Sequence, residues 1–107
     1  MTLFEKTIQA LKNKDFELLQ RIHHEDIMFV REFSMYSRDE HLAYLASIAE
    51  RLPNANWQDH AQCVHEDDFV LIMRYPETHD KSVSYFTSNV SIKHEGVYWR
   101  TMVKKDE

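Results

Sequence analysis

The chain has 107 residues, 43% of them hydrophobic and 29% charged, and a net charge of −5. That length suits one domain, residues 1–107, with a single core, and the composition is far from that of a disordered chain. No basic surplus is present to neutralise a phosphate backbone, which argues against nucleic acid as a partner, and no apolar run approaches the ~18 residues of a membrane span.

In chain order, "MTLFEKTIQALKNK" reads as a helix and not as a signal peptide, with Thr2 and Glu5 placed as a capping box and Leu3, Phe4, Ile8 and Leu11 at helical spacing. Asp15 is placed to cap a second short helix carrying Phe16, Leu18, Leu19 and Ile22, which "HHED" is expected to stop. "IMFVREF" follows as a strand. Ser37 and Glu40 form a second capping box, opening the helix "RDEHLAYLASIAERL" that Pro53 closes. The second half has strand character throughout: "NWQDHAQCVHE", "DFVLIMRYP", "SVSYFTSNVSIKH" and "VYWRTMVKK". Cys63, the only cysteine, is expected to be a buried filler there; alone it allows no intramolecular disulfide, and a reducing cytoplasm is the expected location.

Gly96 is the only glycine, and a two-residue turn Glu95-Gly96 uses its tolerance of positive φ. Such a tip pairs Ile92 with Trp99 and places Phe86, Val90, Ile92, Trp99 and Val103 on one face. The other face then carries Tyr85, Asn89, Lys93, Tyr98, Arg100 and Met102. The preceding hairpin, turning at "EDD", gathers Trp57, Asp59, Ala61, Cys63, Val70, Ile72 and Arg74 opposite Phe69, Leu71, Met73 and Tyr75. The Trp99 face is expected to meet the helices.

The order helix, short helix, strand, helix, then four long strands is α+β. With "ALKNKDFELLQRIHHEDIMFV", "HEDDFVLIMRYPETHD" and "VSIKHEGVYWRTMV", it resembles the nuclear transport factor 2-like superfamily, which includes SnoaL-like polyketide cyclases and ketosteroid isomerases. The resemblance implies a curled, mostly antiparallel sheet wrapped around the N-terminal helices, cone-shaped with a central apolar pocket. It also implies dimerisation through the sheet. The acid/base positions of those enzymes do not transfer: only Asp26 stands near the first strand, and the late strand offers Ser, Thr and Asn.

Two functional readings remain. In the first, the chain is a SnoaL-like protein that binds a small apolar ligand, with Phe29, Trp57, Phe86 and Trp99 lining the pocket, or acts as a dimeric interaction module. Its homodimer interface would comprise Leu71, Met73, Tyr75, Tyr85, Tyr98, Arg100 and Met102. In the second, it is an isomerase, cyclase or dehydratase using Asp59 with Arg74, or a histidine, as its acid-base pair. The seven histidines show no HExxH spacing, so no metal or other cofactor is expected.

Overall fold

The computed structural model describes residues 1–51, 57–80 and 83–105. Helix α1 (Leu3–Asn13) starts at Thr2, whose hydroxyl accepts from the Glu5 backbone N–H at 3.1 Å. It ends at Lys14, in the left-handed region at φ 52°. Helix α2 (Phe16–Arg21) is capped by Asp15, which accepts from the Leu18 N–H at 3.1 Å. Helix α3 (Arg38–Arg51) opens with the full capping box: Glu40 N–H to the Ser37 hydroxyl at 3.3 Å, and Ser37 N–H to the Glu40 carboxylate at 3.0 Å. Pro53 lies outside the described residues.

Three boundaries differ from expectation. Strand β1 (His23–Arg31) begins within "HHED", which the sheet takes over from the helix, and it returns through a tight turn into the short β2 (Ser34–Tyr36). Trp57–His60 is a 3-10 turn, and β3 (Gln62–Glu66) starts only after it. Strands β4 (Val70–Asp80), β5 (Val83–His94) and β6 (Val97–Lys105) complete a six-stranded sheet in the order β2-β1-β6-β5-β4-β3, antiparallel except where β1 runs parallel to β6.

The sheet presents Ile27, Leu71, Met73, Tyr75 and Tyr98 to Leu3, Ala10, Leu19 and Ile22 of the helical layer, and these form the core. Leu71 is fully buried. A leucine in that position contributes about 2–5 kcal/mol by the cost of truncating it to alanine.

The register of the last hairpin corrects the expected faces. Glu95 and Gly96 form the tip at φ 55° and 79°, the positive-φ pair of a type I′ turn. Lys93 then pairs with Tyr98 but Ile92 pairs with Arg100, so Trp99 is the extra residue of a β-bulge. Beyond it the alternation is shifted by one. Tyr98, Thr101 and Val103 face the helices, whereas Met102 is exposed and Trp99 is only half-buried. The helix-facing side is therefore the Tyr98 side and not the Trp99 side. Leu71, Met73, Tyr75 and Tyr98, expected at a dimer interface, are core residues instead. Cys63 is exposed, on the edge strand, rather than a buried filler.

Candidate functional site

Strand β5 is inverted relative to an ordinary core strand. Its inward residues are polar, with Thr87, Asn89 and Ser91 at 1%, 7% and 0% exposure, while its outward residues Phe86, Val90 and Ile92 stand 41%, 43% and 48% exposed. Cross-strand register extends the polar row. One rung runs Phe29–Thr101–Ser91–Leu71, and the next runs Arg31–Val103–Asn89–Met73. Within the row the Ser91 hydroxyl donates to the Asn89 side-chain oxygen at 2.8 Å and lies 3.0 Å from the Thr101 hydroxyl.

Two buried histidines close the β1 side of this interior. His41, from the first turn of α3, stacks on Phe29 with ring centroids 3.8 Å apart. His23, at the start of β1, lies 5.3 Å from His41 and stacks on Tyr98 at 4.9 Å. The His23 Nδ1–H donates to the Leu19 carbonyl at 2.6 Å, which fixes the tautomer. Tyr98 is anchored in turn. Thr7 donates its hydroxyl proton to the Leu3 carbonyl at 2.8 Å, so the Tyr98 hydroxyl, 2.6 Å away, donates to Thr7.

Electrostatics hold both imidazoles neutral. Burial first, and then the charge of Arg38 against the favourable Leu19 bond, lowers His23 to about 4. Burial, then His23 and Arg31, lowers His41 to about 3. Burial pushes the Tyr98 phenol up, so it keeps its proton. Arg31 reaches over this group, its guanidinium 4.9 Å from the Tyr44 ring and 3.4 Å from the Tyr44 hydroxyl. Among the described residues no hydrogen bond reaches the His41 ring, and the residue is buried. The corner thus combines two cationic arginines, a neutral imidazole and an amide, next to the apolar surfaces of Phe29 and Val103. Such a set can orient an oxygen-bearing head group on an otherwise apolar molecule.

The residues singled out from the sequence scatter. Asp59 sits in the 3-10 turn and pairs with Lys12 at 2.7 Å, both half-exposed. They border a shallow groove of ≈ 390 Å³ between α1 and that turn, lined also by Phe4, Ile8, Gln58 and Ala61. Arg74 stacks over the ring of Phe86 at 4.1 Å on the outer face of the sheet, so no Asp59–Arg74 pair forms. Trp99 lies on the outer face too, with the Arg100 guanidinium 3.9 Å from its ring. Of the three expected pocket residues whose side chains are described, Phe29 faces the interior and Phe86 and Trp99 do not; the side chain of Trp57 lies outside the described residues, as does that of Tyr85. Asp26 is exposed. The thiol of Cys63 is pushed up by desolvation and by Glu66, away from a reactive thiolate.

Sequence reasoning also missed Glu66. Its carboxylate accepts the Leu3 and Phe4 backbone N–H groups at 2.9 and 3.2 Å and pairs with Lys93 at 2.8 Å. Desolvation opposes its ionisation, but the bonds from Lys93, Phe4 and Leu3 outweigh it and lower its pKa. It is an anion at the N-terminus of α1, delivered from β3, and this commits it to structure. The signal was only a turn acid in "HEDD". Among the described residues one cross-strand group has metal-ligand chemistry: His24, His94 and Glu95, whose donor atoms lie within 4.8 Å of one another.

Solved structures with this architecture are numerous. Wild-type IdmH of Streptomyces antibioticus, provisionally assigned as a polyketide cyclase, matches with a TM-score of 0.78 over 97% of this chain and 89% of its own, at 12% identity. A nuclear transport factor 2-like protein of unknown function from Cytophaga hutchinsonii matches at 0.68, 13% identity, over 97% of this chain and 87% of its own. An LEH-like epoxide hydrolase of Mycobacterium tuberculosis matches with a TM-score of 0.66, at 14% identity, over 97% of this chain and 80% of its own. No family model and no curated protein matches the sequence. The chain has the nuclear transport factor 2-like cone fold: α+β, with a curled, open sheet. Its architecture is that of the SnoaL-like proteins, and no particular activity comes with it.

Proposed function

We propose that the protein is a homodimeric binding module, in which the outer sheet face joins two copies and the cone interior holds a small molecule, largely apolar with an oxygen-bearing head. The inverted strand β5 carries this reading. Turning Thr87, Asn89 and Ser91 inward while Phe86, Val90 and Ile92 face outward costs stability in an isolated subunit. That pattern is useful if the inside meets a polar ligand group and the outside meets protein. Met102, 61% exposed, extends the outer apolar stripe next to Val90. Contiguous patches of this kind usually mark contacts, and a two-fold dimer covers both copies with one surface.

The interface is therefore assigned to Val70, Ile72, Phe86, Val90, Ile92 and Met102, with Arg74 and Arg100 at its aromatic flanks. A cytoplasmic location belongs to the same reading; no helix among the described residues is long and apolar enough to cross a membrane. The test is light scattering. Wild type should give a dimer mass, and Ile92→Glu with Met102→Glu should give a folded monomer; a wild-type monomer well above micromolar concentration refutes the dimer. Native mass spectrometry of the wild type reads the ligand separately.

A second reading, an isomerase, cyclase or lyase, is favoured by one observation. His41 is neutral, carries no hydrogen bond on its ring among the described residues and stacks on Phe29, whose rung continues through Thr101 and Ser91, so it is the group placed to move a proton. The neighbours provisionally assigned as polyketide cyclases lend this reading weight. His41→Phe keeps the ring stack and removes the base. Turnover of any ligand found that survives this change excludes His41 as the base.

A further inference from the structure

We propose that His24, His94 and Glu95 form a surface site for one borderline divalent transition metal of the zinc, nickel or copper(II) class. The site is outside the cone and does not depend on the reading above. Strand order creates it. His24 is on β1 and His94 on β5, with only β6 between them, and both side chains reach the same side of the sheet, their rings 5.3 Å apart at 61°. The I′ turn then brings Glu95 back, so that its carboxylate lies 3.7 Å from His94 Nε2. The result is two imidazole nitrogens and one carboxylate oxygen.

The donor atoms, within 4.8 Å of one another, need to close to about 3.3 Å, the edge of a tetrahedron with metal–ligand bonds near 2.0–2.1 Å. His94 and Glu95 are exposed and terminal to their hairpin, so rotation of side chains suffices. Three protein ligands leave a fourth position for water. The donor set selects the metal: imidazoles suit zinc, nickel and copper, whereas magnesium and calcium require oxygen.

Two local contacts bear on affinity. His24 Nδ1 accepts the Asp26 N–H at 3.0 Å, which places the ring proton on Nε2. Metal at Nε2 moves that proton to Nδ1 and releases the Asp26 N–H to water, while metal at Nδ1 replaces the bond directly; each exchanges one exposed hydrogen bond for a metal bond. The nearby cation, Arg100, opposes a metal charge, but it already donates to the Asp26 and Trp99 carbonyls at 3.0 Å, and Glu95 offsets it. Binding at micromolar rather than nanomolar concentration is expected.

Trp99 supplies the readout, because its indole lies 5.3 Å from the His94 ring. In a chelator-washed Trp57→Phe protein, copper(II) or nickel(II) should quench Trp99 fluorescence saturably, with one ion per chain. Zinc should compete, and magnesium and calcium should not. His94→Gln and His24→Gln should each weaken binding by at least about tenfold. His65→Gln is the control, since His65 pairs with Asp67 at 3.0 Å on another hairpin and lacks a second histidine. His94 is exposed, so its variant keeps the fold, which circular dichroism verifies. Quenching that never saturates, or saturation that survives both His94→Gln and His24→Gln, overturns the proposal.

Discussion

Acidification from pH 7 to pH 5 should weaken the fold through His23 and His41 before the carboxylates begin to titrate. Both are buried as neutral imidazoles, lowered from 6.5 to about 4 and about 3. Between those values and 6.5 the unfolded chain binds more protons than the folded one. Stability therefore rises with pH across the window and is lost as pH falls. At pH 5 an unfolded imidazole of ordinary pKa favours its protonated form by about 30 to 1, which is worth about 2 kcal/mol. The folded values are already well below pH 5, so they barely alter that figure. Two such residues give about 4 kcal/mol, a large fraction of the 5–15 kcal/mol that holds a typical domain together. Urea midpoints followed by circular dichroism at pH 7, 6 and 5 measure the loss. His41→Phe retains the stack on Phe29 and should remove about half of it, which separates the histidines from every other titrating group. Equal stability at pH 7 and pH 5 would mean that the rings are solvated or charged in the folded state, and the packing of α3 on β1 would need revision.

Other outcomes follow from single contacts. Glu66→Ala removes the charge partner of the Lys93 ammonium, whose side chain is 9% exposed and which keeps its bond to the Asp67 carbonyl at 2.6 Å, and frees two N–H groups of α1, so a loss of about 3–5 kcal/mol is expected in thermal or urea unfolding. Gly96→Ala meets no atom within 4 Å but keeps φ at +79°, so its cost is backbone strain alone, about 1–2 kcal/mol, and an unchanged melting temperature would contradict the I′ turn.

The helical half was legible because its signals are local. Thr2, Asp15 and the Ser37–Glu40 box each act within four residues, and each caps the helix it was expected to cap. The overall order of elements was legible for the same reason. Contacts across the fold were not. Glu66 reaches α1 over more than sixty residues, and His24 meets His94 across an intervening strand; adjacency in sequence suggests neither. Nothing local marks His23 or His41 as buried, because their burial comes from tertiary stacking.

The sheet faces failed for a deeper reason. Alternation says that two faces of a strand differ, and it leaves open which one is inside; the usual decision assigns the apolar face to the core. On β5 that decision selects Phe86, Val90 and Ile92, and the structure turns them outward. The bulge at Trp99 then shifts the parity of β6: Val103 faces inward as expected but Trp99 does not share its face, and Arg100 and Met102 face outward as expected but Tyr98 turns into the core. Neither error is a defect of the pattern. A strand that places hydroxyls and an amide inside, and aromatic and aliphatic groups outside, departs from what packing alone would choose. Such departures concentrate where a chain is shaped for contact with something else. The residues that misled the reading of the faces are thus the ones on which the proposed interior site and the proposed outer interface rest.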